Sequence, residues 1–166
     1  MRSIVMITVA VFVSFIIYPM LHETGHMIGA SIAGANIKEL TVLSQPAVVC
    51  SFENRETCIF VGCAGTVFPT VVALSYSPKS FVLWYANFIL RAVIMFTGMV
   101  SMASVFAFFQ TAPVKNDDVT VMLSIAPEKS GQVLLIVFLC TVFTAQSCFK
   151  ENILKRCYFY IENTQS

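Results

Sequence analysis

Four apolar stretches dominate this 166-residue chain, with polar punctuation between them. They run from Ser3 to Ala35, Cys58 to Ser77, Phe81 to Gln110 and Gly131 to Phe149. Each is close to or above the ~20 residues an α-helix needs to cross a hydrocarbon core. The second and fourth carry no charge, the third carries only Arg91, and the first carries only Glu23. Pro19 predicts a kink in the first helix, and Pro69 falls inside the second. Pro78-Lys79-Ser80 reads as a turn between the second and third. Between the first two helices, residues 37–53 hold two β-branched runs around Ser44-Gln45-Pro46, which predicts a β-hairpin. After the third helix, Asn116 or Asp117 suits the N-cap of a short helix across Val119 to Ile125, apolar enough to dip back against the bundle. A polar tail covers Lys150 to Ser166.

Composition strengthens this picture. The chain is 57% hydrophobic and 11% charged, where soluble domains average about a quarter charged residues. The expected fold is therefore an all-α membrane protein: four transmembrane helices with a short β-hairpin between helices 1 and 2. It forms one membrane-embedded domain over residues 1–149 and a tail over 150–166, multi-pass and integral to the membrane. The net charge of +1 leaves no basic face for nucleic acid. Six cysteines show no Cys-x-x-Cys pair, and those within apolar segments read as small hydrophobes; Cys50 and Cys58 could meet across the hairpin. The first apolar run is too long for a signal-peptide core, and cleavage near Ala33-Gly34-Ala35 would discard both histidines, so a retained helix is expected.

The topology also sorts the charges. Arg2, Lys79, Lys150, Lys155 and Arg156 fall on the side where helix 1 begins, termed the near side. Lys38, Arg55, Lys115 and Lys129 fall on the far side, so the positive-inside rule leans only slightly toward a cytoplasmic near side. Arg91, a third of the way along helix 3, is expected to snorkel toward the near side.

The chemistry concentrates in His22-Glu23-Thr24-Gly25-His26. These two histidines are the only ones in the chain, and four-residue spacing stacks both imidazoles on one helix face, where they can hold one zinc ion. Glu23 then lies beside the metal, placed to act as general base toward a water. An ionisable cluster inside an apolar span is costly and points to function. A catalytic zinc takes three protein ligands, and no third histidine exists. Asp117 and Asp118 are the only aspartates, and they follow helix 3 at the depth of the histidines, so either carboxylate could complete the site. The alternative role for this pair is helix capping.

These residues resemble the site-2 protease family of intramembrane zinc metalloproteases. The family's helix carries His-Glu-x-Gly-His followed by small residues, matched here by His22 to His26, Gly29, Ala30 and Gly34. Pro113-Val114-Lys115-Asn116-Asp117 resembles the family's later segment, in which a proline precedes an aspartate. That register places Asp117 on the metal ligand and Asp118 on the family's usual glycine. Gly62-Cys63-Ala64-Gly65 is a weaker echo of a small-residue segment. The resemblance implies a zinc-dependent endopeptidase that hydrolyses peptide bonds of membrane-embedded or membrane-proximal substrates. Zn2+ would sit on His22, His26 and Asp117, with Glu23 catalytic and a transmembrane protein or peptide as substrate. Two other readings stand beside it: a non-catalytic metal-binding membrane protein of the same fold, and a metal or proton permease.

Overall fold

The computed structural model describes residues 2–41, 47–51, 54–110, 117–150 and 152–162. Helix α1 (Arg2–Phe12) passes through a π-helical turn (Val13–Ile17) into α2 (Tyr18–Ile32), forming one 31-residue apolar span. Strands β1 (Asn36–Thr41) and β2 (Ala47–Ser51) follow, then α3 (Arg55–Ser75) and α4 (Phe81–Phe109). The short helix α5 (Asp118–Ile125) leads through a 3-10 turn (Pro127–Lys129) into α6 (Ser130–Phe149), and α7 (Ile153–Glu162) ends the described chain. Among the described residues, four helices are long and apolar enough to cross a membrane: Arg2–Ile32, Arg55–Ser75, Phe81–Phe109 and Pro127–Phe149.

Local chemistry sets the helix ends. The first span stops at Ile32, earlier than the apolar run, because Gly34 takes φ of +68°. Ala35 N–H then donates to Ala30 O at 2.9 Å and Gly34 N–H to Ser31 O at 3.4 Å, the Schellman pattern. Helix α3 starts at Arg55, ahead of the apolar run, because Asn54 Oδ1 accepts from Thr57 N–H at 2.7 Å. The helix continues through Pro19. Proline lacks the N–H that Phe15 O would receive, and the backbone just before it widens so that Tyr18 N–H reaches Val13 O. Asn36–Thr41 and Ala47–Ser51 pair antiparallel, with a register shift between Ile37 and Glu39. The turn that a hairpin needs, 42–46, lies outside the described residues. The polar tail carries a ten-residue helix, α7, which its mixed composition concealed.

Helix α2 packs most extensively on α3, and α4 on α6. A side chain at Gly25 would run into the Ala64 backbone, and a Cβ at Gly29 would lie 2.8 Å from that of Ala64, so α2 and α3 approach nearly backbone to backbone. Helix α5 seats Val119, Met122 and Leu123 in a core shared with Cys58, Ile59, Cys63, Val105, Val133 and Val137. A second core joins Val13, Ala73, Leu90 and Ile94.

Arg91 does not snorkel. It is 5% exposed, and its Nε and Nη2 both donate to Ala73 O at 3.2 Å. Asn87 Nδ2 donates to Ala73 O at 3.1 Å and to Tyr76 O at 2.7 Å. The last carbonyls of α3 lack helical partners, and in an apolar bundle protein donors must replace water. A cation there also meets the negative end of the helix dipole. Replacing Arg91 with Met keeps bulk and removes these donors. The expected loss is roughly 1.5–3 kcal/mol, read as a lower midpoint of denaturation in detergent. Arg91→Lys should recover part of it, since the charge returns without the planar fork.

Candidate metal centre

Helix geometry alone brings the two histidines together. On α2 the His22 and His26 ring centroids lie 4.6 Å apart with planes at 88°, and their Nε2 atoms are 3.1 Å apart. The third member comes from a distant part of the chain. Asp118, the first residue of α5, places Oδ2 2.8 Å from His22 Nε2 and 3.2 Å from His26 Nε2. Glu23 completes the cluster: its carboxylate and the two imidazoles offer ligand atoms all within 4.8 Å of one another.

Of the two aspartates, the structure brings Asp118 to the histidines and assigns Asp117 to another task. Asp117 is the N-cap of α5, and its Oδ2 accepts from Thr120 N–H at 3.2 Å. The sequence register that favoured Asp117 is thus displaced by one residue. An N-cap carboxylate folds back over the first turn of its own helix, whereas the next side chain projects away from it. Burial pushes the Asp117 carboxyl above its ordinary pKa despite that backbone hydrogen bond. Burial pushes Asp118 upward too, but the His22 and His26 imidazoles beside it, in their protonated form, outweigh it and hold this carboxyl below the usual carboxylate range.

The neighbouring helices orient the rings. His26 is buried, and its Nδ1 lies 2.8 Å from Val61 O of α3. A carbonyl only accepts, so Nδ1 carries the proton and the Nε2 lone pair of the neutral ring faces the cluster. Such a second partner is the usual way a ligating histidine is fixed. Gly65 supplies the room. A Cβ there would strike the His26 ring and lie 3.0 Å from His22 Cε1. Tyr18, one turn before His22, has its ring 5.8 Å from that imidazole and donates its hydroxyl to Thr97 Oγ1 at 2.9 Å. A cavity of about 300 Å³ opens beside His22 and Asp118, with Tyr18, Thr66, Thr97 and Ser101 among its walls. Hydroxyl groups thus line a pocket inside an otherwise apolar bundle.

No family model, curated protein or solved structure matches this chain. Its chemistry therefore rests on the residues themselves. Two imidazole nitrogens and a carboxylate oxygen converge with edges of 2.8, 3.1 and 3.2 Å. Their lone pairs repel unless protons or a cation lie between them. Ligand atoms around tetrahedral zinc, with bonds of about 2.0–2.1 Å, stand about 3.3 Å apart, so the triangle is close to one face of that tetrahedron. A donor set of two histidines and one carboxylate fits a divalent metal that keeps one position open.

Sequence reasoning missed Asp118 as the preferred acid, the Val61 carbonyl and the Tyr18–Thr97 pair, and it noted Gly65 only as part of a small-residue segment. Tyr18 was detectable, because four residues before His22 places it on the same face. Gly65→Ala should drive the rings apart and weaken Co2+ binding, followed by its visible absorption, by roughly ten- to a hundredfold, the range for losing a ligand's support. Gly131→Ala, where an added Cβ meets nothing within 4 Å, should leave the titration unchanged.

Proposed function

We propose that this protein is an intramembrane zinc-dependent endopeptidase that hydrolyses peptide bonds of membrane-embedded or membrane-proximal substrates. The observation that carries the reading is the convergence of His22 Nε2, His26 Nε2 and Asp118 Oδ2 within 3.2 Å, with Glu23 beside them. The likeness of His22-Glu23-Thr24-Gly25-His26 to the site-2 protease motif supports it, and so does the setting of that motif in a 31-residue apolar span.

In this reading His22, His26 and Asp118 hold the ion, and Asp117 supports them by capping the helix that delivers Asp118. Bound zinc would lower the pKa of a coordinated water from about 15.7 toward 7 and polarise the scissile carbonyl. Glu23 takes a proton from the attacking water and delivers it to the leaving amine. Val61 O keeps His26 in the tautomer that presents Nε2. The hydroxyls of Tyr18, Thr66, Thr97 and Ser101 hold water in the cavity, which the apolar walls would otherwise exclude. A transmembrane substrate has its backbone bonds satisfied internally and must unwind before attack. The pair β1–β2 follows α2 directly and offers an edge on which an unwound segment can align.

Metal analysis and cleavage of a model transmembrane peptide test the proposal together. The purified protein should carry one zinc per chain. His22→Ala, His26→Ala and Asp118→Ala should each lose it. Asp117→Ala should keep the ion and lose about 1 kcal/mol of stability with its cap. Glu23→Gln should retain zinc while cleavage falls on the order of 10²- to 10⁴-fold. Cleavage that survives Glu23→Gln would overturn the catalytic assignment, and zinc without any cleavage would favour a non-catalytic metal-binding role.

A further inference from the structure

The near end of the bundle carries a feature that the proteolytic reading does not use. Helix α7 packs beside the start of α1 and the start of α4, with Phe81 and Tyr160 stacked at 3.7 Å between centroids. Arg2 donates to Tyr160 O, and its guanidinium carbon sits 4.8 Å from the Tyr160 ring centre. Arg156 lies over Trp84 at 5.0 Å. Arg2 and Arg156 line one pocket of about 430 Å³ together with Phe81, Phe159 and Tyr160. No carboxylate lines it, and among the described residues no ion pair joins either arginine to an acid.

We propose that this near face docks on anionic phospholipid, with a headgroup phosphate seated between Arg2 and Arg156. Three observations converge on that occupant. The aromatic contacts hold both guanidiniums in place, so their planar donor forks are organised for phosphate oxygens. Helix α7 is amphipathic, with Lys155 and Arg156 exposed and Cys157 and Tyr160 half-buried, as in helices that lie at headgroup level. On its other flank an apolar groove of about 570 Å³ runs between α4 and α6 and ends at Asn152 and Lys155, a shape suited to an acyl chain below a polar head. The charge fits as well: among the described residues this end holds Arg2, Lys79, Lys150, Lys155 and Arg156 against Glu162 alone.

The test uses the full-length protein in nanodiscs of phosphatidylcholine with and without phosphatidylglycerol, with retained lipid read by native mass spectrometry. Wild type should retain phosphatidylglycerol in preference to phosphatidylcholine. Arg2→Gln/Arg156→Gln should reduce that preference by about thirtyfold, at roughly fivefold per surface cation. Arg2→Lys/Arg156→Lys should keep much of it, and Lys38→Gln on the far side should change nothing. Equal retention of the two lipids by wild type would overturn the proposal without reference to any variant's folding. An unchanged preference in the double glutamine variant would overturn it too, as would displacement of the lipid by inorganic phosphate, which would mark a free-anion pocket instead.

Discussion

The site depends on how closely α2 and α3 can approach. Gly25 and Gly29 let the backbone of α2 settle against Ala64 and Val61, and this proximity puts a main-chain carbonyl within reach of the His26 ring. It also means that the two imidazoles project into α3 itself, at a position where any side chain would exclude them. Gly65 resolves that conflict by leaving a hollow one atom deep. Helix association in lipid gains little from the hydrophobic effect, so small-residue contact of this kind supplies the packing. The same contact that joins the helices therefore orients the polar cluster.

Satisfying polar groups where water is scarce explains a second layer of the architecture. Arg91 and Asn87 place their donors on the terminal carbonyls of α3, which would otherwise face hydrocarbon without partners. Thr70, Thr97, Thr141 and Thr144 return their hydroxyls to carbonyls in the preceding turn of their own helices. Thr97 does both jobs: it returns its hydroxyl to its own helix and accepts from Tyr18 at the wall of the cavity beside His22.

How much was legible in advance follows from the range of each interaction. The four spans were readable because hydropathy over about twenty residues is a local property, and the His22–His26 face was readable because helical spacing is local too. Boundaries shifted where a single residue acted on the backbone: Gly34 closed the first span early and Asn54 opened the second, α3, sooner than hydropathy indicates. Arg91 was misplaced because its partner, the Ala73 carbonyl, belongs to another helix and no side-chain pattern announces it. The choice between Asp117 and Asp118 was beyond a depth argument, since adjacent residues share a depth and differ only in direction. That direction is decided by which of them caps α5.

The wide turn at Val13–Ile17 has a consequence for the first span as a whole. One additional residue in a helical turn rotates everything after it by about 100° relative to an unbroken α-helix. The stripe of α1 is therefore out of phase with the stripe of α2, and the two halves answer to different surroundings. Helix α1 buries none of its residues, with Ile4 at 68% and Ile7 at 65% exposure, whereas α2 buries Gly25, His26, Gly29 and Ala30. The exposed positions of α1, Ile4 and Ile7 among them, are therefore uncoupled in phase from the face that carries the imidazoles.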